Sequence, residues 1–300
     1  SMRALGSLGL AAVAHPWEPG VVPASLLQPF CEVGGERRLG GRQAAGSEGR
    51  EICPPGAGDG DPEFPPEPQL RWIEAWVPEL AWNWDGLRLV ATIWAPIGHR
   101  GFVYRLVATN SGEAPANVAF GLQGHWEHVV YSLFRSRPMP VSLRCRQDPW
   151  TGSLAMEALA AWPVVGWAVG WDEAPEILDW DGGSDGDGGS PGQQAVRFTV
   201  GRRLTLPPGG QAALTVYVTV APEQDGARTT GVDLRRRGWE ALLAETLHWL
   251  RARRTPLDDP ELAWRVDRNR FFTHFFSCGR TLDSEEWVAV TSRSPRYYVS

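Results

Sequence analysis

The chain has 300 residues and a mass of 33.0 kDa, which is enough for two ordinary domains with sizeable cores. Hydrophobic residues make up 43% and charged residues 21%, as in soluble globular proteins, and no apolar run is long enough to span a membrane as a helix. The net charge of −6 argues against binding to nucleic acid or to an anionic membrane. None of the 29 basic residues is lysine, which we attribute to GC-rich codon usage.

The four cysteines, at positions 31, 53, 145 and 278, are far apart and form no Cys-x-x-Cys pair. This spacing argues against a zinc finger or a redox motif, and we expect no cofactor. The apolar residues 4–14 mimic a short signal peptide, but a single arginine precedes them. Scattered cysteines are typical of a reducing compartment, so we predict a cytoplasmic protein.

Residues 1–68 are rich in glycine and proline, and residues 54–62 are typical of a linker. Short strands are expected around residues 21–27. We therefore separate residues 1–68 from the rest of the chain as an N-terminal segment.

Strict alternation of apolar and polar residues begins further along the chain. Residues 87–95, 196–200 and 214–220 read as half-buried strands, and short turns rich in glycine, proline and asparagine separate them. The side chains of Val118, Phe120 and Leu122 are expected to share one face of another strand. The pattern predicts a mainly β protein with an antiparallel β-sandwich over residues 69–222.

A helical period follows the sandwich. Residues 223–256 are predicted to form a linker helix with Asp233 as its N-cap, an apolar face from Trp239 to Leu250, and a stop at Pro256. A second helix is expected to begin with Asp259 as its cap and Pro260 in its first position.

Apolar residues nearly encircle the end of this second helix, which we predict to stop near Gly279. The phenylalanines concerned are at positions 271, 272, 275 and 276. Such a helix must be buried against a large surface, namely the sandwich, another chain or a further domain.

Two segments invite a metal interpretation. On a strand, His125 and Glu127 share one face while His128 lies on the other, and the sequence nominates no third ligand. The aspartates of residues 181–191 have oxygen ligands suited to calcium, but their spacing fits no known calcium loop. We favour ordinary surface residues for both and predict no metal site.

Most of the sixteen tryptophans lie between Trp72 and Trp180. Indole faces stack on the C–H face of a sugar ring, so a tryptophan-rich sandwich is a candidate sugar-binding module. Trp82 and Trp84 share one face of their segment and are the candidate stacking pair. The alternative is core packing, which we expect for tryptophans 162, 167 and 171, whereas Trp150 and Trp180 lie beside turns and are expected to be exposed.

The last part of the chain contains Asn-Arg-Phe-Phe-Thr-His-Phe-Phe at 269–276 and Ser-Arg-Ser-Pro-Arg-Tyr-Tyr at 292–298. In these segments it resembles the bacterial glycogen-debranching (amylo-α-1,6-glucosidase-like) and glucoamylase-like glycoside hydrolases. In that family a supersandwich-like β-domain leads through a linker helix into a catalytic (α/α)6 barrel. The resemblance implies that residues 257–300 are the start of such a barrel, truncated at Ser300.

The resemblance also implies a function, namely hydrolysis of α-glucosidic bonds in an α-glucan or oligosaccharide by two carboxylates, with inversion. Arg293, Arg296 and Tyr297 would lie near the sugar site at the barrel mouth, although an ordinary structural loop explains them equally well. The family's catalytic carboxylates fall beyond residue 300, so we expect no catalytic residue in this chain and no activity from it alone.

Three alternatives to a glycoside hydrolase region remain open. The first is a non-catalytic carbohydrate-binding module, and the second is an assembly module that self-associates through the aromatic helix. The third is a metal enzyme built on His125 and His128.

Overall fold

The computed structural model describes residues 10–11, 25–39, 69–84, 86–127, 129–130, 139–140, 142–158, 166–180, 195–221, 223–280 and 287–289. Strands and three helices make up most of this part of the chain. The strands are β1 (Leu10–Ala11), β2 (Ser25–Val33), β3 (Glu36–Leu39), β4 (Gln69–Ile73), β5 (Val77–Trp84), β6 (Leu87–Trp94), β7 (Gly101–Asn110), β8 (Ala116–Glu127), β9 (Val129–Val130), β10 (Met139–Pro140), β11 (Leu143–Asp148), β12 (Ser153–Ala158), β13 (Gly166–Trp171), β14 (Ile177–Trp180), β15 (Ala195–Leu206), β16 (Gln211–Ala221), β17 (Cys278–Arg280) and β18 (Trp287–Ala289). The helices are α1 (Gln224–Arg237), α2 (Trp239–Arg251) and α3 (Pro260–Ser277).

Two large antiparallel sheets form the fold. One has six strands in the order β1-β2-β8-β15-β14, with β3 paired to β2, and the other has eight strands in the order β11-β12-β13-β16-β7-β6-β5-β4. The longest ladder joins β8 to β15 from Ala116 opposite Leu206 to Glu127 opposite Ala195. The predicted mainly β, antiparallel architecture is therefore confirmed for the described residues.

The six-stranded sheet reaches back into the predicted N-terminal segment. Leu27 to Val33 of β2 pair with β8, so this strand belongs to the sandwich although the predicted sandwich begins at residue 69. In the described part of the chain this strand begins at Ser25 and overlaps the short strands predicted around residues 21–27, of which residues 21–24 lie outside the described residues.

The main hydrophobic core lies between the sheets and is built by the alternating residues of both. Val118, Phe120 and Leu122 of β8 all point into it, as their spacing predicts. Opposite them, the eight-stranded sheet contributes core-facing residues from β5, β6, β7, β13 and β16, including the large buried side chains Tyr104 and Leu106. Period-2 patterning thus orients each strand in this layer.

The other face of the eight-stranded sheet is covered by the helices. Its outward side chains Val77, Trp94, Val103 and Tyr217 pack in one cluster with residues from all three helices. The described residues therefore form three layers, in the order six-stranded sheet, eight-stranded sheet and helices.

Helix α1 packs closely on this sheet because its contact face is made of small residues. Ala227 packs against Ala168 and Ala221, and the Thr219 hydroxyl of β16 donates a 2.7 Å hydrogen bond to the Ala227 carbonyl oxygen. A Cβ at Gly166 of β13 would lie 2.6 Å from the backbone of Gln224, so glycine lets the first turn of α1 approach the strand.

The predicted linker helix is two helices. They meet at Gly238, whose φ of 78° is unfavourable for other residues and ends α1. Asp233, the predicted N-cap, lies inside α1, which begins nine residues earlier at Gln224. The amphipathic helix predicted from Trp239 to Leu250 corresponds to α2.

The predicted start of α3 is confirmed. Pro260 is its first residue, and the Asp259 carboxylate accepts hydrogen bonds from the backbone N–H groups of Glu261 and Leu262 at 2.9 and 3.1 Å. The (α/α)6 barrel stays a prediction, because the described residues contain only the one helix that would open it.

Candidate functional site

The predicted stacking pair lies inside the sandwich. Trp82 is 4% exposed and Trp84 is 3% exposed, and their rings contact each other edge to face with centroids 5.3 Å apart. They share one strand face, as predicted, but that face is directed at the core. An enclosed indole offers no face to a sugar in solution, so their assignment as substrate-binding residues gives way to the core-packing alternative.

Arg293, Arg296 and Tyr297 lie outside the described residues, as do the side chains of Phe272, Phe275 and Phe276. The aspartate-rich loop of residues 181–191 also lies outside them. His125 is described on β8, whereas Glu127 and His128 have no described side chains. Among the described residues no group of three His, Cys, Asp or Glu side chains is arranged to hold a metal ion, and no helix is long and apolar enough to cross a membrane.

Two surface features remain as candidates for function. We call the first the helical joint: the turn between β4 and β5 (residues 74–76) together with the end of α2 and the length of α3. In this turn Glu74 and Ala75 both have positive φ, 51° and 59°, and the Trp76 N–H donates to the Ile73 carbonyl oxygen at 3.1 Å. Consecutive positive φ values are typical of type I′ turns, which favour asparagine and glycine.

Glutamate and alanine adopt this conformation at a cost, which is about 1–2 kcal/mol per residue for left-handed backbone. Contacts from the helices offset that cost. The Glu74 carboxylate forms ion pairs with Arg251, at 2.7 Å, and with Arg254, and the Ala75 carbonyl oxygen accepts a 3.1 Å hydrogen bond from Arg268. The turn is thus held by α3 and the C-terminal end of α2.

An aromatic cluster completes the joint. Phe271 of α3 is 2% exposed, and its ring lies 6.4 Å from that of Trp76 and 6.2 Å from that of Trp249. The Arg268 guanidinium lies 3.6 Å from the ring of Trp72, and burial lowers its pKa from the ordinary arginine value. For Phe271, then, the surface that buries the aromatic helix is the sandwich together with α2.

Exposed apolar side chains also occur along α3. Leu262 and Trp264 are exposed, at 49% and 41%, and Leu257 just before the helix is exposed as well. Leu262 lies nine positions before Phe271, on the opposite side of the helix, whereas Trp264 lies seven positions before it on the same side, with its ring 5.7 Å from the Arg268 guanidinium.

The second feature is the Trp150 turn, which we define as residues 147–153. It comprises the end of β11, the connecting residues 149–152 and the first residue of β12. Trp150 is 95% exposed, as its place beside a turn predicts, whereas Trp180 is half-buried against the core. Tryptophan is among the most buried residues on average. A fully exposed indole leaves roughly 4 kcal/mol of burial free energy unused, for about 150 Å² at 25 cal/mol/Å².

The turn that carries this indole is tightly held. Asp148, 5% exposed, accepts hydrogen bonds from the Thr151 hydroxyl at 2.6 Å and from the Thr151 N–H at 3.3 Å. Arg228 of α1 forms a 3.0 Å ion pair with Asp148, and Arg235 donates to the Thr151 carbonyl oxygen at 2.9 Å. The exposed side chain therefore stands on a fixed backbone.

Burial by itself would raise the pKa of Asp148. The Thr151 hydroxyl, the Arg228 guanidinium and backbone N–H donors outweigh it and hold the pKa of this carboxyl below its ordinary value. Asp148 is therefore ionised at neutral pH, as its ion pair with Arg228 requires.

Sequence reasoning placed Trp150 at the surface but attached no role to it, and it missed the helical joint. No sequence pattern predicts the helical joint. Its turn has glutamate and alanine at positions of positive φ, where glycine and asparagine are preferred, and the arginines that contact the turn are 177 to 193 positions away along the chain.

No family model and no curated protein matches this chain. Among solved structures, it is similar to a kojibiose phosphorylase from the human microbiome, with 8% identity and a TM-score of 0.42 over 90% of this chain and 31% of the other. It is also similar to a bacterial glucoamylase complexed with acarbose, with 8% identity and a TM-score of 0.46 over 82% of this chain and 34% of the other.

A third similar structure is a family GH92 α-mannosidase from Bacteroides thetaiotaomicron, with 13% identity and a TM-score of 0.40 over 70% of this chain and 30% of that one. The chain spans about a third of the length of these solved structures.

Proposed function

We propose that this chain is the N-terminal sandwich region of an α-glucan-active glycoside hydrolase, of the debranching or glucoamylase-like kind. In this proposal the sandwich orients a helical catalytic domain of which α3 is the first helix. The supporting observation is the helical joint, where α2 and α3 are fixed to the eight-stranded sheet by Phe271, Glu74 and Arg268. A domain continuing from α3 would inherit a defined orientation.

The chemistry of the intact enzyme would be hydrolysis by one carboxylic acid and one carboxylate placed across the sugar. Under this proposal those two groups lie outside residues 1–300, and Arg293, Arg296 and Tyr297 lie near the sugar site. The proposal also places the enzyme in the cytoplasm.

The test is glucose release from glycogen and from maltooligosaccharides. We expect the product of the full source gene to release glucose, and the chain of residues 1–300 to release none, because it would lack the catalytic pair. In the family that the chain resembles, a Trp-Asp-Arg-Asp-like segment lining the sugar site follows the Ser-Arg-Ser-Pro-Arg-Tyr-Tyr stretch. Under this proposal the coding frame past residue 300 should continue with that segment and a helical pattern.

Glu285 and Glu286 are adjacent carboxylates in the sequence that follows α3, so Glu285→Gln and Glu286→Gln are the informative variants. If residues 1–300 released glucose after repurification, and either variant abolished that release, the catalytic pair would lie inside this chain. A full gene product inactive on every α-glucan tested would overturn the proposed activity itself.

A second candidate is a non-catalytic carbohydrate-binding module. The observation that favours it is the exposed indole of Trp150 on a fixed turn. Binding without hydrolysis by the full gene product would support this candidate over the first.

A further inference from the structure

We infer that the Trp150 turn is a glycan contact, in which the indole of Trp150 stacks on a glucose ring of an α-glucan. The inference rests on the proposed activity on α-glucans, and adds a binding surface that the resemblance does not supply. Four observations carry it: the exposure of the ring, its fixed mount, its polar surroundings, and its separation from the helical joint.

Exposure comes first. At 95% exposed, both faces of the indole are open to solvent. A pyranose presents a face of C–H bonds, and the electron-rich face of an indole attracts the positive edge of such bonds. Stacking therefore needs an open ring face, which Trp150 offers and the enclosed Trp82 and Trp84 do not.

The fixed mount lowers the entropy lost on binding. Asp148, Thr151, Arg228 and Arg235 hold the backbone on either side of the indole, and Gly152 adopts a φ of 65° that closes the turn. Only the two side-chain torsions of the tryptophan remain to be ordered when a ligand binds.

The surroundings favour a sugar over a protein surface. The chain neighbours of Trp150 are the exposed Pro149 and the half-buried Thr151, and Arg146 and Gln147 are exposed on the strand before the turn. Asp225 of α1 is exposed beside Arg228. Polar groups around a single aromatic ring suit the hydroxyls of a carbohydrate, whereas a protein hot spot sits in a desolvated apolar pocket.

The Trp150 turn is also separate from the other exposed large apolar residues. Leu257, Leu262 and Trp264 belong to α3 and its approach, whereas the turn contacts α1. Leu70 lies on β4, at the opposite edge of the eight-stranded sheet from β11. Trp264, 41% exposed, is therefore a matched control: an exposed tryptophan on another surface of the same protein.

The test is affinity electrophoresis of the chain in gels containing glycogen, with gels containing hydroxyethylcellulose as the comparison. We expect glycogen to retard the wild-type chain, Trp150→Ala to weaken the apparent affinity about tenfold or more, and Trp264→Ala to leave it unchanged. Trp150→Phe should retain part of the affinity because it keeps an aromatic face. The melting temperature of Trp150→Ala should equal that of the wild type, since the side chain makes few contacts.

Equal retardation of the wild type and Trp150→Ala, or no retardation of the wild type by glycogen, overturns the inference. So does self-association in sedimentation velocity that Trp150→Ala abolishes without a change in glycogen affinity, because the indole would then be a protein contact. If the full gene product hydrolyses α-glucan while the wild-type chain ignores glycogen, only the inference fails. If the chain binds glycogen through Trp150 while the full gene product hydrolyses nothing, only the proposed enzyme fails.

Discussion

At the scale of single residues, Asp148 shows how a buried charge organises a surface. Its carboxylate is satisfied from within the turn by Thr151 and from α1 by Arg228. A buried charge left without such partners would destabilise the folded state. Because the Asp148 carboxylate needs partners from both the turn and α1, it holds the two together.

The first prediction concerns how the stability contributed by the Asp148 carboxylate depends on pH. The folded-state pKa of Asp148 is lowered, so its ionised form contributes stability above the ordinary aspartate pKa near 3.8, and that contribution is lost as the pH falls through the lower folded-state value. Asp148→Asn should therefore lower the melting temperature by a constant amount between pH 8 and pH 5, and by less below about pH 4. Differential scanning calorimetry at each pH measures this, with Asp225→Asn, an exposed partner of the same arginine, as the control. A deficit that grows in acid would contradict the assigned direction.

At the scale of elements, the contact between α1 and β13 depends on the absence of a side chain. Gly166 lies against the backbone of Gln224 and Glu223 at 2.6 Å from where its Cβ would be, and backbone cannot rotate away. Gly170 on the same strand has only ordinary contacts, at 3.8 and 3.9 Å.

The second prediction compares these two glycines. Gly166→Ala should lower the free energy of unfolding by about 1–3 kcal/mol because the first turn of α1 must move away from the sheet. Gly170→Ala should be neutral or stabilising by about 0.5–1 kcal/mol because alanine has the smaller unfolded-state entropy. Urea denaturation followed by circular dichroism measures both, and equal effects of the two substitutions would refute the close-approach argument.

These elements also show what the sequence can predict. Strands β6, β7 and β15 alternate over most of their length, and the Asp259-Pro260 cap is local, so both were predictable. The linker helix was predicted, but its start at Gln224 and its division at Gly238 were not, because Gln224, Ala227, Gly231 and Leu234 are the buried residues of α1 and give a weak apolar period. Alternation places Trp82 and Trp84 on one face but does not say whether that face meets solvent or a second sheet, so their burial needed the structure.

At the scale of the whole molecule, the two sheets share a large core of their own, whereas the described side chains of α3 contribute to the smaller cluster between the eight-stranded sheet and the helices. Phe271 is the described α3 side chain in the cluster that joins the helices to the sheet. Removing it should therefore release the helix without unfolding the sheets.

The third prediction tests this division. Phe271→Ala removes a ring whose loss typically costs about 3–5 kcal/mol, and we expect the loss to appear as local opening of α3. Hydrogen exchange should become faster in α3 and stay unchanged in β7 and β16. Leu262→Ala, 49% exposed on the opposite side of the same helix, should leave all three protected as in the wild type. Faster exchange throughout the sheets would mean that α3 is part of one cooperative unit with the sandwich.

The turn at Glu74 and Ala75 has a mechanical consequence. Its left-handed backbone is maintained while Arg251, Arg254 and Arg268 grip it, and without that grip the two residues would relax toward ordinary angles. Reorienting the helices on the sheet would therefore require these contacts to break and the backbone of the turn to change together. The helical joint thus couples the orientation of α2 and α3 to the conformation of a single hairpin turn.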